Sequence, residues 1–348
     1  MLFVRILLKC SRNFFCIVTI VATAFITPAV LAKKLVDVPV GIAPTMTSSA
    51  MFIAKEKGYF KQEGINAILN PFRLSGAQMI PFLATGQIYV GGGTINAGMY
   101  NAIQSDIPIK LVSEKGSLHP GKGHLALIVR KDHVDSGRYK GIKDLKGMTL
   151  AITARGVSQQ IITERYLKTV GLSLEDVRFT HMGYPDMNVA LANGAIDATI
   201  QIEPFVASAV EKGIAVRVSG ADEVYPEQQA AAIMYSPVFI KKYPELARRF
   251  MVAYVKGLRD YNDAFFKNKN REAIIQILIK STRVKNRKIY DSVVAVGLDP
   301  DGRLMMQSIR DDARWYYEQG YIKKLPDIDE IVDLSYVEYA NKQLGEYQ

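Results

Sequence analysis

From Val36 onward, short apolar strands alternate with amphipathic helices, and the connections between them are only a few residues long. The stretch "VDVPVGIAP" predicts a buried strand that ends at Pro44, and "AMFIAKEKGYF" behind it has apolar residues at helical spacing. Because parallel strands need a crossover connection, usually a helix, this alternation is typical of parallel sheets. The sequence therefore predicts an α/β fold of mostly parallel sheets flanked by helices.

The alternation stops near "HLALIVRKD" and restarts at "GIKDLKGMTLAIT", which indicates a second α/β unit. We expect a first lobe of residues 33–129 and 230–348, a second lobe of residues 130–229, and a ligand cleft between them. "AAIMYSPVFI" predicts a strand that returns to the first lobe, and the chain beyond Pro244 is predicted to be mainly helical.

One short element occurs twice, as "MIPFLATGQIYVGGGT" (79–94) and as "NVALANGAIDATIQIEP" (188–204). In each copy a predicted helix ends at a Gly, which favours positive φ, and a short strand follows. Because ligands of such α/β folds bind beyond the carboxyl ends of the strands, one copy per lobe predicts two facing binding surfaces. The alternative is that helix–Gly–strand units recur in any fold of this class.

Small and polar residues follow these and other predicted strands, where helix N-termini also offer backbone N–H groups. The candidate ligand-binding residues are Thr45, Ser49, Ser75, Gly76, Gly93, Thr94, Asn96, Arg155, Gly156, Ser158, Gln159 and Glu203. Helix capping is the alternative role for each Ser or Thr, and a surface position is the alternative for Arg155. Arg155 would favour an anionic ligand and Glu203 a cationic group, so together they would suit a zwitterion.

The N-terminus has the pattern of a cleaved secretory signal, residues 1–32, with the apolar stretch "FFCIVTIVATAFI" and small residues before the expected cleavage after Ala32. An uncleaved membrane anchor is the alternative. Both cysteines lie in this segment, so the mature chain has no disulfide, thiol catalyst or Cys-based metal site. The formal net charge of +10 falls to about +7 without the three cations of the segment. The longest basic cluster, "STRVKNRK", has no interleaved aromatics, so we expect no nucleic-acid binding.

Several stretches resemble the periplasmic solute-binding proteins of ABC importers, in the branch that serves alkanesulfonates, nitrate, taurine and thiamine-pyrimidine precursors. The resemblance is carried by "FIAKEKGYFKQEGINAIL", "GIKDLKGMTLAIT", "YLKTVGLSLEDVRF", "VALANGAIDATIQIEPF" and "SPVFIKKYPELARRF". It implies a type II periplasmic-binding fold, an exported monomer that captures a small anionic or zwitterionic organic solute, and an ABC permease in the inner membrane as partner. Two positions depart from the family pattern: Tyr89 replaces the usual Asp, and Ile202 replaces the usual Trp before Glu-Pro.

Sequence motifs of common enzyme classes are absent. The four histidines form no HExxH pair, and the chain has no GxSxG or GxxxxGK[ST]. His119 and His124 flank "PGKG" near the expected crossover between lobes, where a hinge or surface position is expected and ligand contact is the alternative. We therefore expect no enzyme, no cofactor and no metal. The alternatives are an enzyme like the thiamine-pyrimidine synthases, which use pyridoxal phosphate, and a ligand-sensing component for a separate receptor.

Overall fold

The computed structural model describes residues 34–72 and 76–348, and Leu35–Gln348 form one compact unit. The expected signal segment and Ser75 lie outside the described residues.

In the described residues, ten strands form two five-stranded sheets. In chain order they are β1 (Val36–Ile42), β2 (Ile65–Pro71), β3 (Val90–Thr94), β4 (Lys110–Ser117), β5 (Leu125–Arg130), β6 (Thr149–Ile152), β7 (Arg178–His181), β8 (Ala198–Ile202), β9 (Ala215–Gly220) and β10 (Gln229–Tyr235). The strand orders are β2-β1-β3-β10-β4 in the first sheet and β7-β6-β8-β5-β9 in the second. The two orders are equivalent, so each lobe, defined here by its sheet, has the same topology.

In each sheet the fourth strand of this order is antiparallel to its neighbours: β10 in the first sheet and β5 in the second. These are the strands that enter each lobe from the other one. The predicted mostly parallel α/β architecture is therefore confirmed. The second sheet already includes β5, so the expected lobe boundary at Arg130 falls at the end of a second-lobe strand.

Fifteen α-helices accompany the sheets in the described part of the chain. They are α1 (Ser49–Glu56), α2 (Tyr59–Gln62), α3 (Ile80–Thr85), α4 (Ala97–Ile103), α5 (Lys131–Asp135), α6 (Ser158–Lys168), α7 (Tyr184–Ala192), α8 (Phe205–Glu211), α9 (Pro237–Lys242), α10 (Pro244–Phe266), α11 (Arg271–Ser281), α12 (Ile289–Ser292), α13 (Met306–Glu318), α14 (Ile328–Ile331) and α15 (Ser335–Leu344).

The longest helix, α10, shows how the predicted helical C-terminal region is held. Pro at its first position fits there because that N–H has no intrahelical partner. Its buried face carries Phe250, Tyr254 and Tyr261, and it packs against α1 and α15. Within the described residues, no helix combines the length and the apolar character needed to cross a membrane.

The two copies of the repeated element occupy equivalent places: α3 leads into β3 and α7 leads into β8, each at the centre of its sheet. Gly86 ends α3 with a φ of 71°, and Gly194 stands just after α7 with a φ of 79°. Both glycines are therefore in the left-handed region, as expected for helix ends.

Two segments connect the lobes, one from β4 to β5 and one from β9 to β10. They lie side by side, because the Leu118 N–H donates to the Gln228 carbonyl at 2.9 Å and the Gly121 N–H donates to the Asp222 carboxylate at 2.7 Å. A paired crossover of this kind is the region about which two lobes can move as a hinge.

Candidate ligand-binding site between the two lobes

A small cavity of about 20 Å³ lies where the two sheets face each other. Its lining comes from both lobes and from the crossover between them. The lining residues are Ala43, Thr45, Thr47, Gly76, Gly93, Thr94, Lys115, His124, Leu125, Ser158, Tyr184, Ile202, Ala230 and Ala231.

Among the described residues that line the cavity, Lys115 is the only lysine or arginine. It lies on β4 at an irregularity in the pairing with β10, since Glu114 pairs with Ala232 and Gly116 with the adjacent Ala231. Such an extra residue re-aims a side chain relative to a regular strand. The Lys115 Nζ donates to the Thr47 Oγ1 at 2.8 Å.

Two glycines of β3 make room for this arrangement. A Cβ on Gly92 would lie 2.8 Å from Cε of Lys115, so a side chain there would displace the lysine stem. A Cβ on Gly93 would lie 2.4 Å from Cα of Gly76, so only glycine permits the close approach of these two backbones. The triple glycine of the first repeat therefore serves close packing at the site.

Burial lowers the pKa of Lys115 to about 7, and the neighbouring Glu114 carboxylate opposes part of that effect. The cause is desolvation, which disfavours an ammonium relative to a neutral amine. Among the described residues no carboxylate forms an ion pair with Lys115, and its printed hydrogen bond goes to a neutral hydroxyl. A bound anion would supply the missing counter-charge.

His124 is fully buried beside Lys115, and neither ring nitrogen has a hydrogen-bond partner of ordinary geometry among the described residues. Burial lowers the pKa of His124 to about 3, against a smaller opposing effect of the Lys122 backbone. The imidazole is therefore neutral at physiological pH, with one N–H donor and one acceptor unused. Buried polar groups are normally paired, so these two nitrogens are available to hydrogen-bond a ligand in the cavity.

Hydroxyl groups complete the polar lining. Oγ1 of Thr45 and Oγ1 of Thr47 are 2.9 Å apart, and Ser158 opens α6, whose N-terminal end carries a partial positive charge. The Tyr184 hydroxyl of the second lobe interacts with the Thr94 side chain of the first. The cavity therefore combines one cation with neutral hydrogen-bonding groups, and no carboxylate lines it in the described part of the chain.

Five of the residues predicted from the sequence line this cavity: Thr45, Gly76, Gly93, Thr94 and Ser158. They come from strand ends or helix starts in both lobes, as the position of strand ends predicts.

Other predicted residues are buried near the cavity but have structural partners. Ser49 donates to the Met46 carbonyl at 2.6 Å, and Asn96 caps α4 by accepting from the Met99 N–H at 3.1 Å. The Gln159 amide accepts from Thr153 and donates to the Ile200 carbonyl at 2.6 Å. For Ser49 and Asn96 the structure therefore favours the local, capping alternative.

The structure does not bring Arg155, Gly156 or Glu203 into the cavity lining. Arg155 is exposed, with its guanidinium carbon 5.8 Å from the centre of the Tyr321 ring, because its position in the loop before α6 points it toward the C-terminal region. Its alternative role as a surface residue is favoured, and the positive charge at the cavity comes from Lys115 instead.

Gly156 and Glu203 join the lobes to each other. The Gly156 carbonyl accepts from the Ala97 N–H at 2.9 Å, and the Glu203 carbonyl accepts from the Met46 N–H at 3.1 Å. The Glu203 carboxylate also accepts from the Val294 N–H at 3.1 Å, and burial raises its pKa to about 7. The described lobes are therefore in a closed arrangement, and Glu203 helps to hold it.

Four polar lining residues were not among the predicted contacts: Thr47, Lys115, His124 and Tyr184. His124 lies in the crossover from β4 to β5, which is the expected hinge position, and it also lines the cavity. The signal for Lys115 was present, because "LVSEKGS" places two charged residues inside a predicted buried strand. Charged residues are rarely buried unless they are paired or functional, so Glu114 and Lys115 could have been identified as candidate site residues. In the described residues no group of His, Cys, Asp and Glu is arranged to hold a metal ion.

Comparison with known protein families assigns the chain. A model of the NMT1-like family matches residues 32–279, and the chain therefore belongs to the NMT1-like family. No curated protein matches its sequence significantly.

Solved structures share the fold at low sequence identity. The alkanesulfonate-binding protein SsuA from Xanthomonas axonopodis pv. citri, bound to MOPS, has a TM-score of 0.69 and 17% identity, covering 86% of this chain and 98% of its own. The periplasmic nitrate-binding protein NrtA from Synechocystis PCC 6803 has a TM-score of 0.71 and 14% identity, covering 90% of each chain. The desulfurization enzyme DszB has a TM-score of 0.64 and 15% identity, covering 88% of this chain and 99% of its own. The periplasmic-binding fold is thus confirmed.

Proposed function

We propose that this protein is an exported solute-binding protein that captures a small organic anion between its two lobes and delivers it to an ABC importer. The observation that carries the proposal is the buried Lys115 ammonium, which faces a cavity lined by both lobes and has no carboxylate partner in the described residues. An unpaired buried cation costs free energy, and an anion in the cavity would offset that cost.

The chemistry of the lining favours an anion over a zwitterion. Glu203, which would have served an amino group, accepts its hydrogen bonds from backbone N–H groups outside the cavity. The neutral imidazole of His124 and the hydroxyls of Thr45, Thr47 and Ser158 can donate to the oxygens of a sulfonate, carboxylate or nitrate. A neutral pyrimidine would leave the lysine without a counter-charge, and the ammonium group of a taurine-like ligand would find no carboxylate in the described lining.

Transport is supported by the fold and by the N-terminal segment. Nitrate- and alkanesulfonate-binding proteins share the architecture, and the first 32 residues have the sequence pattern of an export signal. We propose a periplasmic location, a monomeric state and an inner-membrane permease as partner. Closure of the lobes would trap the solute, because a ligand that touches both lobes binds the closed form more tightly than the open form.

A catalytic role is the second candidate, because a buried amine with a pKa of about 7 beside a neutral imidazole can also act as a nucleophile or a base. The two roles differ in what happens to the ligand. After incubation with the protein, mass spectrometry finds a transported solute unchanged, whereas a substrate is consumed.

Calorimetric titration of the mature protein tests the proposal. Nitrate, methanesulfonate, acetate, benzoate and a neutral pyrimidine serve as the panel, and at least one anion is expected to bind and to raise the unfolding midpoint. Lys115→Met is expected to abolish that binding, whereas Lys55→Met, at an exposed helix position, should retain it. Equal anion affinity in Lys115→Met and the wild type would overturn the proposal.

A further inference from the structure

The Lys115 amine lies in a setting that favours its neutral form. The residue is 2% exposed, and its Nζ donates to the Thr47 hydroxyl at 2.8 Å. The carboxyl group of the adjacent Glu114 offers little counter-charge at neutral pH, because burial raises its pKa to about 8. Burial also lowers the pKa of Lys115 to about 7, so about half of the molecules carry an uncharged amine at pH 7. An uncharged amine is a nucleophile, whereas an ammonium is not.

The space around this amine admits only a very small reactant. The cavity between the lobes measures about 20 Å³, and one water molecule needs roughly 10–15 Å³ of such volume. In the closed arrangement the cavity therefore holds about one or two water-sized groups. An uncharged reactant also enters without the desolvation cost of an ion. Carbon dioxide, a small molecule without net charge, meets both conditions.

Hydrogen-bond donors line the space in which a carboxylate on Lys115 would form. Both ring nitrogens of His124 are buried without a partner among the described residues, and the neutral ring carries one N–H. The hydroxyl groups of Thr45 and Ser158 also line the cavity, and Ser158 begins α6 at its positive N-terminal end. No carboxylate lines the cavity in the described part of the chain. Hydrogen bonds to an ionised oxygen are stronger than neutral ones, so these donors would stabilise a newly formed anion.

We propose that carbon dioxide adds to the neutral amine of Lys115 and converts this residue into a carbamate. The nitrogen lone pair forms a bond to the carbon of CO₂, and one C=O π pair moves onto an oxygen. The nitrogen then releases one proton to the solvent, so the products are the N-carboxylated lysine and H⁺. The reaction needs no oxidant or reductant, and it is reversed when CO₂ is removed.

The carbamate changes the charge of the cavity from positive to negative. An ammonium at Lys115 attracts the anion that the unmodified site binds, whereas a carbamate in the same place repels it. The carbamate itself requires no solute, but its effect on binding rests on the proposed function. Carbon dioxide would thus regulate the fraction of the protein that can take up its anion.

Carbon-13 magnetic resonance of the mature protein tests the inference. Nitrogen-15 is placed only at the side-chain nitrogen of lysine, and the protein is equilibrated at pH 8 with carbon-13-labelled bicarbonate, which supplies labelled CO₂. A carbamate carbon is bonded to nitrogen-15 and gives a signal split by one-bond coupling, whereas bicarbonate gives an unsplit signal. Exposed lysines stay protonated at this pH, since their usual pKa is about 10.4. One split signal is therefore expected in the wild type; it should be lost in Lys115→Met and kept in Lys55→Met, at an exposed helix position.

A second measurement locates the modification without a variant. A trialkyloxonium reagent alkylates the carbamate oxygen and makes the adduct stable, so peptide mass spectrometry can find it on Lys115 of the wild-type protein. The inference can thus be tested even if Lys115→Met misfolds, which far-ultraviolet circular dichroism detects. Calorimetry then measures the effect on methanesulfonate binding. At the CO₂ concentration that modifies half of the protein, the apparent Kd should rise about twofold, because only the unmodified half is competent to bind.

The outcomes separate the two proposals. No split signal in the wild type, or an adduct found only on other lysines, overturns the carbamate and leaves the anion-binding function intact. Competition between bicarbonate and methanesulfonate without a split signal also overturns the carbamate, since bicarbonate then binds as a free anion. Methanesulfonate affinity that is unchanged in Lys115→Met overturns the proposed function, whereas a split signal from Lys115 still supports the carbamate.

Discussion

The affinity for a permanently charged anion should fall steeply as the pH rises from 6 to 9. Burial holds the pKa of Lys115 near 7, and only the protonated amine offers a charge to the ligand. A sulfonate does not titrate in this range, and His124 stays neutral throughout because burial holds its pKa near 3. The pH dependence of binding therefore reports on Lys115 together with two buried carboxyl groups, because burial raises the pKa of Glu114 to about 8 and that of Glu203 to about 7.

The magnitude follows from the protonated fraction of the ligand-free protein. With a pKa of about 7, that fraction falls from roughly 90% at pH 6 to about 1% at pH 9, so Kd should rise about ninetyfold, or tenfold per pH unit at the upper end. Binding at pH 8 should also take up nearly one proton, because the anion favours the charged amine.

Calorimetric titration of methanesulfonate at pH 6, 7, 8 and 9 measures the first effect. Buffers of different ionisation enthalpy at pH 8 measure the second. Lys115→Arg is the informative control, since its guanidinium remains charged at every pH used, and any residual binding should keep only the pH dependence that Glu114 and Glu203 cause. A wild-type Kd that is constant from pH 6 to pH 9 would show that the amine stays charged, and would refute the reasoning from burial.

Three further predictions concern packing, stability and closure. Gly92→Ala puts a Cβ 2.8 Å from the Lys115 stem, so calorimetry should find anion binding at least about tenfold weaker. Burial raises the pKa of Asp312 to about 7 from its usual value near 3.8. The protonated Asp312 therefore contributes stability that is complete below pH 3.8 and is lost as the pH rises through 7. In urea unfolding, Asp312→Asn should reduce the loss of unfolding free energy between pH 5 and pH 8 by about 2–3 kcal/mol. Trp315, the sole tryptophan, donates to the Glu164 carboxylate of the second lobe at 2.9 Å. Glu164→Gln weakens this hydrogen bond between the lobes and should favour the open form. The Trp315 emission should then shift to longer wavelength, and the Kd for the anion should rise about fivefold. An unchanged emission spectrum would indicate that this contact does not contribute to closure.

The fold was predictable because each of its signals is local. Apolar periodicity, helix-ending glycines and short connections lie within stretches of about fifteen residues, such as 79–94 and 188–204. Their equivalent places in the two sheets follow from one topology used twice. The strand β5 lies before the expected boundary at Arg130 yet joins the second sheet, because which sheet a crossing strand joins is decided by pairing between distant residues.

The site was predictable only in part, for the same physical reason. Strand-end residues such as Thr45, Thr94 and Ser158 follow from topology and do line the cavity. The local pattern "LVSEKGS" marks Lys115 as a charge within a buried strand, but its aim into the cavity depends on an irregularity in the pairing of β4 with β10. The position of His124 depends on the course of the crossover between the lobes. Tyr184 reaches the cavity only because the lobes are closed.

Gly156 and Glu203 were expected to bind ligand but instead join the two lobes. They therefore influence the affinity for the ligand indirectly. The Ala97 N–H donates to the Gly156 carbonyl and the Met46 N–H donates to the Glu203 carbonyl, so both hydrogen bonds cross the cleft between backbone atoms. A closed form that has its own contacts needs less differential binding energy from the solute to become dominant. The measured Kd therefore combines the intrinsic affinity of the cavity with the opening equilibrium that these backbone bonds set. A variant can then change Kd without touching the ligand, and the Trp315 spectrum of the ligand-free protein distinguishes such a variant from one that changes the cavity itself.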